Sequence, residues 1–423
     1  MKNNLKKKNL KHYLPILLLP LLILASCSKE DIPLPQPPPI EPPVVNTDKL
    51  KQSLNISTES VVNQENNTAW YSNHLTNTPT KEVAVGIAYF DFNGDSQMDF
   101  LLKNENTGVF EFWIKSGNGY SKEDYTKGKS IQLKGTRRIV ATDVNNDKYV
   151  DFVLALADDN DTTQRGLYFL KGDKDGFDLI KYSNNSNEFY HGITTGDINK
   201  DGKTDIVISG PTYFLMGNGD FTFTKTNWPV NLLEKGPIQM GDYFGSTCMD
   251  LIDLNKDGYL DLVRGFHNNP HDQRGNLFGK SMVINFGKAG YPYFGDKQYL
   301  ETIEPNSNIT LDFAFYDVDK DGDIDIFSNS NFDYSGEYYI QYFENKGGNQ
   351  FENKTKLIFE NNSYKVLNHY AIDWIKVCDY DKDGTIEILI EGKNHRKENG
   401  GWVEPNFNSF KLNTNGKFYQ YKF

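Results

Sequence analysis

DINKDGKTDI, residues 197–206, sets oxygen-bearing side chains at its first, third, fifth and ninth positions and a glycine at its sixth. Asp, Asn and Gly disfavour a helix interior, so this is a loop. The same nine-residue pattern, Asp-x-Asn/Asp-x-Asp-x-x-x-Asp/Glu, starts at Asp91, Asp143, Asp197, Asp253, Asp317 and Asp379. Short apolar runs precede it, such as VAVGIAYF (83–90) and LDFAFY (311–316), and others follow, such as DFLL (99–102) and DIVIS (205–209). Their length and β-branched or aromatic content predict strands rather than helices. A third run and a Gly-bearing turn come next in each copy (FEFWIKSGNG, LYFLKGDKDG, YFLMGNGD, MVINFGKAG, YIQYFENKGG, FKLNTNG), leading to a fourth, aromatic-rich stretch.

Each unit is therefore a four-stranded meander, and the units start 52 to 64 residues apart. A meander of this size cannot bury both faces alone. Six in series predict an all-β chain, a β-propeller of six four-stranded blades, in which radial repetition leaves only short protected edges. The Asp loop joins the first two strands of each blade.

With the motifs set out (DFNGDSQMDF, DVNNDKYVDF, DINKDGKTDI, DLNKDGYLDL, DVDKDGDIDI and DYDKDGTIEI), the chain resembles FG-GAP or VCBS-type repeat proteins over 83–423. Members are often seven-bladed, which keeps seven as the alternative, with residues 47–82 a source for a degenerate blade. That segment is polar, Asn-rich and without an acidic loop.

Carboxylates at positions 1, 3, 5 and 9 of a tight loop repel unless a hard cation gathers their oxygens. The resemblance implies structural calcium. The side-chain ligands would be Asp91, Asn93, Asp95 and Asp99; Asp143, Asn145, Asp147 and Asp151; Asp197, Asn199, Asp201 and Asp205; Asp253, Asn255, Asp257 and Asp261; Asp317, Asp319, Asp321 and Asp325; and Asp379, Asp381, Asp383 and Glu387. An EF-hand needs Glu at position 12, where Leu102, Leu154, Ile208, Arg264, Ser328 and Ile390 stand, so that reading is excluded. Position 6 is Gly in the last four loops but Ser96 and Lys148 in the first two, which makes those two the weaker candidates.

In such a blade the Asp loops share one face of the disc with the turns between third and fourth strands. All six Arg map to the opposite face or its edge: Arg137, Arg138, Arg165, Arg264, Arg274 and Arg396. His191, His267, His271, His369 and His395 map there too, with Tyr190, Tyr243, Tyr370 and Trp402. Guanidinium forks suit carboxylate or sulfate, and flat rings suit sugars. This face is expected to bind an anionic extracellular polysaccharide. The alternatives are a polysaccharide lyase or hydrolase using His267, His271 or His369, and a docking or adhesion platform for a surface protein. No phosphate loop, zinc signature or nucleophile elbow occurs.

The ends of the chain add an address. Residues 1–26 read as a signal peptide, with a Lys-rich start, the apolar run LPILLLPLLIL (14–24) and small residues before Cys27. Leu24-Ala25-Ser26-Cys27 resembles the lipobox of bacterial lipoproteins, which implies a lipid on Cys27. Ser28-Lys29-Glu30-Asp31 is similar to an export signal to the outer face of the outer membrane. Residues 27–46 then form a Pro-rich stalk of extended polyproline character. The membrane contact expected is through the lipid alone. The net charge of −12 includes five Lys of the signal peptide, so the rest is more acidic still, and nonspecific nucleic-acid binding is excluded as a role. Three Cys make no disulfide scaffold.

Overall fold

The computed structural model describes residues 48–52 and most of 87–421. The longer stretches outside the described residues are 1–47, 53–86, 157–164, 183–189, 233–245, 269–281, 367–373 and 392–408. The signal peptide, Cys27, the stalk, Tyr243, His271, Arg274, His369, Tyr370, His395, Arg396 and Trp402 fall there, and His191 and Asp381 also lie outside the described residues. The chain divides into Met1–Asn46 and Thr47–Phe423.

Among the described residues the second unit is all-β, with six antiparallel sheets and two short helical turns of three or four residues near 355–362 besides one at Val230–Leu232. The sheets run in chain order. The first is Ile87–Phe90, Asp99–Lys103, Phe110–Ser116 and Gly119–Glu123; the second is Thr136–Thr142, Asp151–Leu156, Gly166–Asp173 and Gly176–Lys181. The third is Ile193–Gly196, Asp205–Ile208, Tyr213–Gly217 and Phe223–Asn227; the fourth is Cys248–Ile252, Asp261–Gly265, Met282–Gly287 and Phe294–Leu300. The fifth is Asn308–Tyr316, Asp325–Phe332, Glu337–Asn345 and Phe351–Asn353; the sixth is Trp374–Cys378, Glu387–Glu391, Ser409–Leu412 and Phe418–Tyr421. The fifth gains two short strands, Lys365–Val366 and His267–Asn268, the latter lent by the fourth sheet's loop and paired to Ile309 and Asn308.

The first strands of consecutive sheets lie side by side, which makes them the inner strands of a β-propeller. Apolar side chains alternate out of each pleat to fill five layers, one between each pair of consecutive sheets. The layer between sheets 1 and 2 stacks Phe112 on Phe177 at 5.1 Å, with Phe92 set edge-on at 5.4 Å and 6.0 Å. Trp113 is buried, as its place in a third strand implies, and Cys248 and Cys378 are buried thiols.

Candidate functional site

In every sheet the residue before the first Asp pairs across with position 9: Phe90 with Asp99, Thr142 with Asp151, Gly196 with Asp205, Ile252 with Asp261, Tyr316 with Asp325 and Cys378 with Glu387. Eight residues therefore close each hairpin. The first Asp folds the loop over itself. Its carboxylate accepts the N–H of position 6 in Lys148, Gly202, Gly258, Gly322 and Gly384, at 2.8 to 3.0 Å. The position 5 Asp accepts the N–H two residues on, as from Gln97, Tyr149, Lys203, Tyr259, Asp323 and Thr385. These are Asx turns, which tighten the loop around its first and fifth residues.

Position 9 lies inside the sheet. Asp99, Asp151, Asp205, Asp261 and Asp325 are buried, and each accepts two backbone N–H groups. One carboxylate oxygen takes the N–H of position 2 (Phe92, Val144, Ile198, Leu254, Val318) at 2.8 to 3.1 Å. The other takes an N–H from the end of the third strand (Lys115, Gly172, Gly217, Gly287, Asn345) at 2.7 to 2.9 Å. Burial pushes Asp99, Asp205 and Asp261 up to about 7 and Asp151 to about 8, against the pull of those N–H groups. Glu387, also buried, pairs with Lys411 at 3.1 Å. The ninth acid thus braces its hairpin from within, and its two oxygens keep further lone pairs beyond the N–H groups they accept. The ligand oxygens of Asp317, Asp319 and Asp321 lie within 4.8 Å of one another, the one such group of three among the described residues, and Asp325 is not among them.

Sequence reasoning missed two further features. Position 2 is an apolar plug, with Phe92, Val144, Ile198 and Leu254 buried, which ties the loop to the inter-sheet layer. The aliphatic or aromatic residue at each second position was the available signal. Position 4 is left-handed in five loops, at Gly94, Asn146, Lys200, Lys256 and Lys320, with φ between 58° and 73°. The expected position 6 glycines are left-handed as well, and Lys148 takes the same conformation at φ 71°. The second loop therefore closes like the others.

The opposite face is more closed than expected. Arg264 is fully buried between sheets 3 and 4, where it donates to Asn285 Oδ1 at 2.8 and 3.1 Å and to Leu232 O at 3.0 Å, with Trp228 and Phe266 against its plane. Tyr190 is also interior. Both were expected as ligand contacts, and burial removes them from that role. Arg138 reaches across the axis of the inner strands to Asp250 (2.5 Å) and Asp312 (3.0 Å), and Asp312 Oδ2 also accepts the Ile375 N–H. Burial, opposed by the guanidinium, leaves the Asp250 carboxyl at about 7. Arg165 sits half-buried before the third strand of sheet 2. Arg137 and His267 lie in strands, at the start of the inner strand of sheet 2 and in the strand lent to sheet 5.

The FG-GAP-like repeat profile matches residues 143–208 and 303–390, which hold the second, third, fifth and sixth Asp loops. The chain is 30% identical to human integrin alpha-6 over 126 residues, 26% of this chain and 11% of that one. It is 22% identical to a T-cell immunomodulatory protein homolog of Plasmodium yoelii yoelii over 268 residues, 56% of this chain and 34% of that one, and 32% identical to Drosophila melanogaster integrin alpha-PS5 over 89 residues. It spans about a third or less of these relatives' lengths. A crystal structure of a Lactobacillus plantarum protein aligns over 80% of this chain and 84% of its own, at 10% identity and a TM-score of 0.44. By its repeated hairpins the chain folds as a β-propeller, and over 143–208 and 303–390 it carries FG-GAP-like repeats.

Proposed function

We propose that this chain is a calcium-stabilised binding module displayed on a bacterial surface, tethered through a lipid on Cys27 and the stalk to residue 46. The observation that carries the reading is the unlike build of the two ends of the sheets. At the Asp-loop end all six connections have one length, and the first five share the two N–H bonds to the ninth acid. At the other end the loops from second to third strands run from the short 333–336 to the long 266–281 and 392–408. Variable loops on a rigid scaffold are where binding sites are built.

Calcium fits the loops. Asp317 Oδ1 and Asp379 Oδ1 are buried with no hydrogen-bond partner, as is Asn145 Oδ1. A buried carboxylate oxygen without a partner is costly, and a hard cation supplies one. Positions 1, 3 and 5 would hold it, and its charge would relieve the repulsion of Asp317, Asp319 and Asp321. Its role is structural.

For the ligand we favour an anionic extracellular polysaccharide, held by Arg137, Arg165, Arg274 and Arg396 with the loop histidines and Trp402. Arg138 is engaged by Asp250 and Asp312 and contributes to the axis instead. A protein partner is the second reading, favoured by the likeness to integrin alpha chains. Binding of the full chain to immobilised sulfated, carboxylated and neutral polysaccharides, at low and high salt, tests the first. Salt-sensitive retention on the anionic polymers alone, lost in Arg274→Ala/Arg396→Ala, is expected; equal retention on neutral polymers overturns it. Cys27→Ser should yield an unlipidated form, and protease treatment of intact cells reports which side of the membrane the propeller faces.

A further inference from the structure

The left-handed fourth residue of the second, third and fourth Asp loops has an outward use. From this conformation its side chain leaves its own loop and meets the next one. Asn146 Nδ2 donates to Gly202 O at 3.0 Å, from the second loop to the third. Lys200 Nζ lies over the Tyr259 ring at 5.3 Å, from the third to the fourth. Lys256 Nζ donates to Gly322 O and to Asp323 Oδ1 (2.8 Å), from the fourth to the fifth. In each case the target is position 6 or 7 of the neighbour, beside the Asx turns that shape it.

The first loop has Gly94 at this place and no side chain to extend. A segment from far upstream in the chain occupies the gap. Lys51 Cγ lies 3.0 Å from where a Gly94 Cβ would stand, and the Lys51 N–H donates to Phe92 O at 3.0 Å. One residue on, Gln52 Nε2 donates to Asp147 O of the second loop at 3.0 Å, and Tyr149 of that loop donates its hydroxyl to Asp48 Oδ2 at 2.8 Å. Leu50 is fully buried in the layer between sheets 1 and 2, and the N–H groups of Lys49 and Leu50 both reach Lys174 O. Five residues thus touch both loops that lack a position 6 glycine.

We propose that Asp48–Gln52 is a clamp that links the first Asp loop to the second, replacing the fourth-residue side chain that links the later loops, and that it couples cation binding in those two loops to the attachment of the chain leading to the stalk. This rests on the calcium reading above. Linkage makes the coupling reciprocal: a seated clamp raises the affinity of loops 1 and 2 for calcium, and calcium in those loops holds the clamp down.

Hydrogen exchange of the full chain across a calcium titration tests it, with peptides covering 48–52, 91–99, 143–151 and 317–325. In the parent, calcium should slow exchange at 48–52 together with loops 1 and 2. Leu50→Asp should raise the calcium concentration that half-protects loops 1 and 2 about tenfold, within the range usual for site-to-site coupling, and leave 317–325 unmoved. Gln52→Ala, which keeps the buried anchor, should shift them in the same direction by less and serves if Leu50→Asp does not fold. Lys256→Met should instead shift loops 4 and 5. Calcium protection of all loops in the parent with loops 1 and 2 unmoved in both clamp variants overturns the clamp alone. No calcium-dependent protection in any parent loop overturns the calcium reading and the coupling with it.

Discussion

The two ends of the sheets obey different rules. At the Asp-loop end the ninth acid, the plug at position 2 and the third strand's N–H are shared by five described loops, so backbone, core and polar contacts repeat together. At the other end Arg264 is folded inward, Arg138 is spent across the axis, and a loop strand at His267–Asn268 crosses to the next sheet. A repeated end carries the fold, and an end where each blade differs is open to function. The exception is Arg138, a charge of the variable end that has become structural.

That exception carries the largest expected effect. Arg138→Met leaves Asp250 and Asp312 facing each other in the interior, and removing one partner of a buried ionic group typically costs about 3–5 kcal/mol. Thermal melts should show a much lower transition, partly restored when Asp250→Asn and Asp312→Asn are added. A parent-like melt for Arg138→Met would mean that the axis does not hold the ring together, and would return Arg138 to the ligand face.

Next in size is the brace. Asp205→Ala strands the N–H groups of Ile198 and Gly217, both buried, and a buried donor left unsatisfied costs about 1–3 kcal/mol. A loss of about 2–4 kcal/mol by denaturant titration is expected, whereas Arg165→Ala at the other end should stay within about 0.5 kcal/mol. Equal effects of the two would erase the contrast between the ends.

How much of this was legible follows from what the periodicities encode. The hairpins were, because Asp, Asn and Gly at fixed offsets between apolar runs specify turn and strand locally. The ninth acid was legible as the first residue of a strand, but not its two N–H partners: Gly217, which donates to Asp205, comes from the third strand, 12 residues on. Arg264 failed for a similar reason. Its position at the end of a strand suggested a loop face, while Asn285 on the neighbouring strand and Leu232 from the preceding blade supply the interior acceptors that allow burial. The clamp was out of reach, since Leu50 joins a layer whose other members begin only at Ala88.

Calcium should separate the loops from one another. With calcium at about a hundredfold over its dissociation constant, an occupied site adds about 2.7 kcal/mol. Asp317→Ala, which removes the orphaned Oδ1, should forfeit most of its site's share. Asp143→Ala should forfeit less, because both oxygens of Asp143 already accept N–H groups, from Asp147 and Lys148. Melts in excess calcium and in excess chelator measure both, and a parent transition unmoved by chelator would remove metal from the account of this end.

The smallest effect isolates backbone strain from metal. Lys148 holds φ 71° where the next four loops have Gly, and the left-handed region costs an L-residue roughly 1–2 kcal/mol. Glycine removes that strain but adds about 0.5–1 kcal/mol of unfolded-state entropy to be lost. Lys148→Gly should therefore stabilise the chain by about 0.5–1 kcal/mol even in chelator, because the N–H it presents to Asp143 is kept. Gly202→Lys should cost a similar amount: nothing lies within 4 Å of a Cβ added there, so the penalty is conformational and not steric. If both substitutions were neutral, the second loop would already be as relaxed as the third, and its sixth residue would set no ranking among the loops.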